Sequence, residues 1–307
     1  MRILIVGAGA TGGYFGARLA KAGRDVTFLV RPARAARLAA DGLTVKSPLG
    51  DFTIAPRLAT ADRIDGHHDV VLLTVKAYAL EQALTDVAPA VGPATMVVPV
   101  LNGLRHLDRI SEVFGAQALV GGVCKVGVTL DDQGRIVHMN PMHFLAYGEV
   151  DGQRSERTGR LDAAMQGAGF DAQWSTTIVR DLWEKWIMLG AAGAITCLMQ
   201  APIGEVVAAP HGHAFASALL DEVVAVAVAA GHPPRDEYVA ETRALLTRAG
   251  SPMATSMYRD MQAGQPVEVD QILGDLVARA QALGVAVPRV AAACARLWVY
   301  QNRLQRA

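Results

Sequence analysis

The first half of the chain alternates short runs of aliphatic and β-branched residues with Ala- and Leu-rich segments. Four such runs are each followed by a turn signal and a helical pattern: Arg2–Val6, Val26–Val30, Val70–Val75 and Met96–Val100. Alternation of strands with helices is typical of a parallel, doubly wound sheet. We therefore predict an α/β fold for the first domain.

The pattern changes near Ala118. Two further runs, Leu119–Val128 and Arg135–Met139, are separated by the polar turn Asp131–Gly134 and predict a β-hairpin. Phe144–Gly148 predicts one more strand. An antiparallel section is therefore expected to close the first domain.

From Thr177 onward the apolar residues recur at helical spacing almost throughout. Breaks that contain proline or glycine interrupt this pattern at Pro202 and at residues 232–234, 251–252 and 264–266. We place the boundary at Gln173. This predicts a Rossmann-type, dinucleotide-binding α/β domain at residues 1–173 and an all-helical substrate domain at residues 174–307.

Composition narrows the class of partner. The 307 residues are 51% hydrophobic and 19% charged, with 29 basic and 29 acidic side chains. This balance argues against disorder and against binding of nucleic acid, so a small molecule is the expected partner. Three scattered cysteines favour neither a disulfide framework nor a zinc site and fit a cytoplasmic protein. The eight histidines form no convincing metal-binding set, so no metal is expected.

No segment predicts a membrane anchor. The first apolar run is interrupted at once by Gly7-Ala8-Gly9, unlike a signal peptide. The longest clearly apolar stretch, Trp186–Met199, contains glycines and is shorter than the ~20 residues of a spanning helix. We therefore expect no association with a membrane.

A glycine-rich turn follows the first predicted strand and directly precedes a helical pattern. It has the spacing G-x-G-x-x-G, and its residues are Gly7, Ala8, Gly9, Ala10, Thr11 and Gly12. In a dinucleotide site the first glycine permits the tight turn, the second lets backbone N–H groups approach a pyrophosphate, and the third lets helix and strand pack closely. The motif also occurs as an ordinary βα turn. Its position, with a second strand about twenty residues on, favours a dinucleotide site.

The end of the second predicted strand indicates which dinucleotide binds. An NAD site usually has an acidic residue there, whereas this chain has Arg31, Arg34 and Arg37. A guanidinium binds phosphate oxygens in pairs, which suits the 2′-phosphate of NADPH and NADP+. Arg31 is the candidate ligand. Arg34 and Arg37 have the alternative interpretation of solvated positions on the next helix.

Two polar residues follow further strands at the sheet edge where such folds bind ligands. Lys76 follows Val70–Val75, and Asn102 follows Met96–Leu101. Each also has an ordinary interpretation, Lys76 as a solvated loop cation and Asn102 as part of an Asn-Gly turn.

In the second half, Lys185 and Glu268 border apolar helix faces. Lys185 precedes the uncharged stretch Trp186–Gly204, and a partly desolvated ammonium is a better proton donor near neutral pH, as general acid catalysis requires. Alternatively, Lys185 forms a surface ion pair with Asp181, four residues earlier. Glu268 either faces the apolar stripe of its helix or opposes the helix dipole as an acid of the first turn.

Taken together, these features resemble the ketopantoate reductase (2-dehydropantoate 2-reductase) family. The glycine motif is shared with many dehydrogenases, whereas the Leu-Trp-x-Lys segment together with a late Glu-x-Asp is more specific. The matching segments extend over most of the chain in the family's order: Gly7–Gly12, Arg31, Thr74–Ala77, Leu101–Gly103, Leu182–Lys185, Ser256–Asp260 and Glu268–Asp270.

The resemblance implies NADPH-dependent reduction of a 2-keto acid, with hydride passing from the nicotinamide to the carbonyl carbon. It implies that Lys185 protonates or polarises the carbonyl oxygen and that Glu268 binds the hydroxyl side of the substrate. It further implies that Asn102 lies beside nicotinamide and substrate, that Ser256 binds the substrate carboxylate, and that Lys76 helps to hold cofactor or substrate. A placed cation stabilises the negative charge that hydride addition builds on oxygen.

The chain departs from the family at two positions that line the substrate pocket. Family members usually carry asparagines four and eight residues after the lysine, where this chain has Leu189 and Gly193. Leucine offers apolar contact only, and glycine is expected to leave open volume. Ketopantoate is the first candidate substrate, and a bulkier or less polar carbonyl or imine is an alternative. A non-catalytic NADP(H) sensor is a third interpretation, against which the presence of both Lys185 and Glu268 argues. The oligomeric state, including a homodimer, stays open.

Overall fold

Ten strands and twelve α-helices are present within residues 1–306, the part of the chain that the computed structural model describes. The strands are β1 (Arg2–Val6), β2 (Asp25–Leu29), β3 (Leu43–Lys46), β4 (Phe52–Ile54), β5 (Arg57–Ala59), β6 (Val70–Leu73), β7 (Met96–Pro99), β8 (Gly121–Leu130), β9 (Ile136–Gly148) and β10 (Asp171–Trp174). The helices are α1 (Ala10–Lys21), α2 (Pro32–Asp41), α3 (Leu80–Val87), α4 (Arg105–Phe114), α5 (Glu156–Met165), α6 (Ile178–Met199), α7 (Ile203–Ala208), α8 (Gly212–Ala229), α9 (Asp236–Leu246), α10 (Ser256–Gln262), α11 (Asp275–Ala282) and α12 (Pro288–Leu304).

The first sheet has the order β5-β2-β1-β6-β7, and all of its pairings are parallel. In β1, Ile3 and Ile5 belong to one core cluster, whereas Leu4 and Val6 belong to another. Because successive side chains of a strand point to opposite faces, a strand covered on both sides must be apolar at every position. The predicted α/β architecture with a parallel sheet is confirmed.

The second sheet contains the predicted hairpin. Its order is β10-β9-β3-β4, with β8 paired to β9. β8 and β9 pair antiparallel around the turn Asp131–Gly134, but the two predicted return strands are one continuous strand, β9. The pairing shifts register between Val126 and Val128, so β9 carries an irregularity without ending there.

Three strands of the second sheet, β3, β4 and β10, were not predicted. Each has only three or four residues. β3 and β10 pair with β9 in parallel, so the sheet is mixed rather than purely antiparallel. Strands this short contain too few alternations to stand out from loop sequence.

The chain divides into two compact units. Residues 1–101 and 106–179 form the α/β unit, and residues 102–105 join the helices from Arg180 onward in the helical unit. Residues 174–179, which the sequence prediction placed in the helical domain, belong to the α/β unit. Ile178 explains this assignment, because a Cβ on Gly121 of β8 would lie 2.7 Å from its side chain.

A buried carboxylate joins α8 to α12 within the helical unit. Glu222 accepts hydrogen bonds from the N–H groups of Arg289 and Val290 in the first turn of α12, and from the Arg289 guanidinium at 2.8 Å. A carboxylate there satisfies unpaired N–H groups and opposes the helix dipole.

The sequence analysis found no segment long and apolar enough to cross a membrane. By length and composition alone, one helix of the described residues, α8, meets that requirement.

The described residues, 1–306, contain no grouped metal ligands, and their thiols are buried. Within residues 1–306, no three or more His, Cys, Asp or Glu side chains are grouped as a metal site requires. Cys124, Cys197 and Cys294 are buried, and none of them forms a disulfide within residues 1–306. Burial raises the pKa of the Cys197 thiol to about 12, so this side chain is not an activated nucleophile.

Candidate functional site

The glycine-rich turn between β1 and α1 is tied to both neighbouring strands. Gly7 has a φ of +94°, a left-handed conformation that favours glycine. Its N–H donates to the carbonyl oxygen of Leu29, at the end of β2, at 3.0 Å. On the other side, the hydroxyl of Thr74 donates to the carbonyl oxygen of Val6 at 2.7 Å. The turn is therefore held rigidly at the carboxyl edge of the sheet.

Gly12 and Gly9 have different surroundings in this turn. A Cβ on Gly12 would come closer than 3.0 Å to the hydroxyl of Thr74 and to the carbonyl oxygen of Gly7. A Cβ on Gly9 would meet nothing within 4 Å. Gly12 therefore permits close packing of α1 against the turn, whereas Gly9 borders open space.

The first turn of α1 supplies backbone N–H groups beside that space. Gly9 is the N-cap, and Ala10 and Thr11 are the first helical residues. No side chain among residues 1–306 caps this helix, and its first turn contains no acid. Uncapped N–H groups at the positive end of a helix dipole, next to the open space at Gly9, fit the pyrophosphate of a dinucleotide. The predicted turn residues thus fit the cofactor that the sequence implies.

Arg31 lies beside the turn, at the end of β2. It is the exposed N-cap residue of α2 and follows Leu29 by two positions. Since the carbonyl oxygen of Leu29 is hydrogen bonded to Gly7, the start of α2 is adjacent to the glycine turn. The arrangement fits the predicted role of Arg31 towards a 2′-phosphate.

Arg34 and Arg37 are tied to the turn between β8 and β9. The Arg34 guanidinium donates to the carbonyl oxygen of Gly134 at 2.9 Å, and Arg37 donates to that of Gln133. Partial burial, and then repulsion by Arg37, lower the pKa of Arg34. Arg34 is partly buried, and Arg37 is exposed but hydrogen bonded. Neither residue is therefore simply a solvated position on the helix.

Lys76 lies three residues beyond β6. It is exposed and forms the N-cap of a short 3-10 helix, Ala77–Ala79. Two residues before it, the Thr74 hydroxyl also lies 3.1 Å from the carbonyl oxygen of Gly7. Lys76 is thus carried by a segment that is bonded to the glycine turn.

Lys185 lies in the buried middle of α6. It is 8% exposed. Within residues 182–197, Met188 and Leu189 alone are partly exposed. A surface ion pair requires solvated side chains, so this burial argues against that interpretation of Lys185.

The acid next to Lys185 has a different role. Glu184 is buried and accepts hydrogen bonds from the backbone N–H and the guanidinium of Arg235, the N-cap residue of α9. Burial alone would raise the pKa of Glu184, but the bonds from Arg235 hold it below its ordinary value. Glu184 is therefore a structural carboxylate.

Glu268 stands just before an unusual turn of the chain. Asp270–Gly274 form a π-helix that leads into α11. Single π-turns are rare in proteins overall, but those that occur often lie at functional sites. The indole N–H of Trp186 donates to the carbonyl oxygen of Ile272 at 3.0 Å, so this turn packs against α6 next to Lys185. Glu268 itself is 7% exposed, which a simple helix-dipole role does not require.

Asn102 belongs to the helical unit although it follows β7. Gly103 has a φ of +78°, and a Cβ there would come closer than 3.0 Å to the carbonyl oxygen of Gln271. Arg105 pairs with Asp270 at 2.6 Å. The Asn-Gly turn therefore exists, and it packs on the π-helix that follows Glu268.

Ser256 and Gly193 lie where α10 meets α6. Ser256 is the exposed first residue of α10, and the hydroxyl of its N-cap, Thr255, lies 3.2 Å from that of Thr196 on α6. A Cβ on Gly193 would lie 2.7 Å from Cε of Met257. The expectation that Gly193 leaves open volume is therefore wrong, because the Met257 methyl group fills that space.

Within the helical unit, α6 is the element that links the candidate residues. It carries Lys185, Leu189 and Gly193, and it contacts both the start of α10 and the π-helix. The segments brought together around it carry Asn102, Ser256 and Glu268.

Family models match nearly the whole chain. One described as "Ketopantoate reductase PanE/ApbA" matches residues 3–152, and its C-terminal companion matches residues 177–301. The chain belongs to the ketopantoate reductase family. It is accordingly an oxidoreductase that acts on CH–OH groups with NADP as cofactor, in a fold with a Rossmann-type first unit and a helical second unit.

Individual relatives in this family cover the chain almost end to end. "Uncharacterized oxidoreductase YkpB" of Bacillus subtilis is 36% identical over 98% of this chain and 99% of its own length. A 2-dehydropantoate 2-reductase of Mesorhizobium japonicum is 32% identical over 94% of this chain and 93% of its own. The crystal structure of 2-dehydropantoate 2-reductase from Geobacter metallireducens superposes with a TM-score of 0.87 at 29% identity, over 97% of this chain and 99% of that one.

In this ketopantoate reductase family member, Thr74 and Arg34 hydrogen bond to the glycine turn or its flanking strand. Neither was predicted as a site residue. Thr74 ties the turn to β6, and Arg34 ties it to the start of α2 through the carbonyl oxygen of Ala8 at 3.3 Å. Thr74 lies in a segment that matches the family, which is the one sequence signal it had. The only sequence signal for Arg34 was its position among the three arginines that follow the second predicted strand.

Proposed function

We propose that this family member reduces a 2-keto acid with NADPH, and that reduction of ketopantoate to pantoate is its activity. The observation that carries the proposal is the burial of a cation, Lys185, and a carboxylate, Glu268, around one helix of a chain that also has a dinucleotide turn. A charged side chain is costly to bury, so buried charges mark either structural ion pairs, such as Glu184 with Arg235, or candidate functional groups.

Each candidate residue has a role in this proposal. When bound, NADPH supplies the hydride. Lys185 stabilises the negative charge that develops on the carbonyl oxygen and donates the proton. Glu268 binds the hydroxyl side of the substrate and orients Lys185, and Ser256 binds the carboxylate. Asn102 lies beside the substrate, and Lys76 helps to hold the cofactor.

The direct test is oxidation of NADPH, followed at 340 nm, with ketopantoate and a panel of 2-keto acids. A non-catalytic sensor would bind NADPH and oxidise it with no member of the panel, which would contradict the proposal. We also propose that the enzyme works in the cytoplasm, in keeping with three cysteines that form no disulfide within residues 1–306.

We expect a preference for NADPH over NADH that depends on Arg31. Its guanidinium is exposed beside the glycine turn, and charge-assisted hydrogen bonds to phosphate are worth about 1.5–3 kcal/mol. Arg31→Ala should therefore raise the Kd for NADPH more than tenfold, a factor that corresponds to about 1.4 kcal/mol. The Kd for NADH should change little. Arg63→Ala, at another exposed arginine of the same unit, is the control. Equal wild-type affinity for both cofactors would exclude this role of Arg31.

A more apolar substrate is the second candidate, because of the wall that α6 presents. Leu189 is partly exposed one turn after Lys185, and Met257 fills the space at Gly193. An apolar wall leaves a substrate hydroxyl without a partner. If this second candidate is the substrate, kcat/KM for a larger, apolar 2-keto acid should exceed that for ketopantoate by about tenfold.

Variants of α6 test this expectation. Leu189→Asn should lower the KM for ketopantoate, whereas Met188→Gln, at the neighbouring partly exposed position, should not. An amide at position 193 needs the space of Met257, so Gly193→Asn is best combined with Met257→Ala. Efficient wild-type turnover of ketopantoate at low KM would show that other residues replace the two asparagines.

A further inference from the structure

Arg34 is the arginine of α2 whose charge the fold leaves uncompensated. Its hydrogen bonds go to two carbonyl oxygens, those of Ala8 at 3.3 Å and Gly134 at 2.9 Å, and no carboxylate among residues 1–306 acts on it. Arg37, one turn later, has Asp41 at 3.9 Å in addition to its bond to the β8–β9 turn. A half-buried cation without a counterion is unfavourable unless a ligand supplies the negative charge.

The two carbonyl bonds also orient the Arg34 side chain. Both are made by Nη2, one to the glycine turn and one to the β8–β9 turn. Gly134 has a φ of +67°, and a Cβ there would lie 2.8 Å from Nη1 of Arg34. The β8–β9 turn therefore clamps the guanidinium at the glycine turn. Arg31 is the N-cap residue of α2 and Arg34 lies in its first turn, so the same end of this helix carries both.

We propose that Arg34 is a second guanidinium of the site for the cofactor's 2′-phosphate, beside Arg31, and that the turn Asp131–Gly134 is the clamp that orients it. The inference rests on the proposed preference for NADPH. Partial burial and repulsion by Arg37 lower the pKa of Arg34, and a phosphate group would offset both effects. Two oriented guanidinium groups can bind one phosphate with the paired hydrogen bonds that a lysine cannot make.

The test measures binding of adenosine 2′,5′-bisphosphate and adenosine 5′-monophosphate by calorimetry, so it does not depend on turnover. Arg34→Ala should raise the Kd for the bisphosphate at least about tenfold and leave that for the monophosphate within twofold. Arg34→Lys should recover part of the loss, because it restores charge without the planar fork. Arg63→Ala is the control, since Arg63 is an exposed arginine of the same unit that pairs with Asp62, and both Kd values should stay within twofold.

A second pair of variants tests the clamp without removing the arginine. Gly134→Ala should displace Arg34 and weaken bisphosphate binding selectively, whereas Gly23→Ala introduces similar backbone strain (φ +77°) at a site with no neighbour within 4 Å. Gly23→Ala should leave the two Kd values unchanged.

The outcomes separate the inference from the cofactor assignment. The inference alone would be overturned if Arg34→Ala kept the wild-type preference for the bisphosphate. It would also be overturned if the variant lost affinity for both ligands equally, because Arg34 would then only stabilise the glycine turn. A wild-type protein without preference for the bisphosphate would overturn the proposed preference for NADPH as well.

Discussion

Lys185→Ala is expected to lower kcat for 2-keto acid reduction by about 10²–10⁴-fold, with little change in the Kd for NADPH. General acid catalysis by a positioned side chain contributes this range. Lys185 is buried on α6, next to Trp186, whose indole N–H holds the π-helix that follows Glu268. Because the developing oxyanion exists only after hydride transfer begins, the loss should fall on kcat rather than on cofactor binding.

Asp181→Asn is the control for Lys185→Ala. If Lys185 served only an i,i+4 ion pair, both variants would lose a few tenths of a kcal/mol of unfolding free energy and both would keep full turnover. Steady-state kinetics and thermal unfolding of the two variants measure this directly. Full activity of Lys185→Ala would remove Lys185 from the mechanism, whatever happens to stability.

Gly12→Ala is expected to destabilise the α/β unit by about 3 kcal/mol or more and to abolish binding of NADPH. The new Cβ would come closer than 3.0 Å to the carbonyl oxygen of Gly7, a backbone atom that cannot turn away, and to the Thr74 hydroxyl. Overpacking costs typically about 1–3 kcal/mol, and loss of the Thr74 hydrogen bonds adds to it. Chemical denaturation followed by circular dichroism, together with calorimetric titration of NADPH, measures both effects.

Gly9→Ala separates the ligand effect from the packing effect. Since a Cβ on Gly9 meets nothing within 4 Å, this variant should unfold at nearly the wild-type denaturant concentration. It should still bind NADPH about tenfold more weakly or worse, because the added methyl group enters the space assigned to the pyrophosphate. Wild-type affinity in Gly9→Ala would mean that the cofactor does not approach this glycine.

The α/β unit shows which features local sequence can predict. β6 and β7 are buried at every position and β1 at every position after its first, so these strands appear as apolar runs, which local pattern detects. The glycine turn is equally local, because its strand, its three glycines and its helix are consecutive in the chain. By contrast, β3, β4 and β10 are too short to show a period, and they join a sheet through partners that their own residues do not specify.

For the helical unit, periodicity predicts that Lys185 lies at the apolar face of its helix but does not indicate which acid is near it. Glu184 is adjacent in sequence, yet it pairs with Arg235, 51 residues later. Glu268 lies far along the chain, and its segment meets α6 through a bond that spans 86 residues from Trp186 to Ile272. Nothing in the spacing around Glu268 indicates a π-helix, because the same residues also fit an ordinary helical stripe.

The remaining features depend on residues that meet only after folding. The bond from Arg34 to Gly134 joins positions 100 residues apart, and Met257 fills the space at Gly193 from another helix. Hydrophobic periodicity encodes which face of an element is buried, but it carries no record of what that face packs against. The composition of the cofactor turn is therefore readable from sequence, whereas the clamp on Arg34 and the apolar wall beside Leu189 arise from the packing of distant segments.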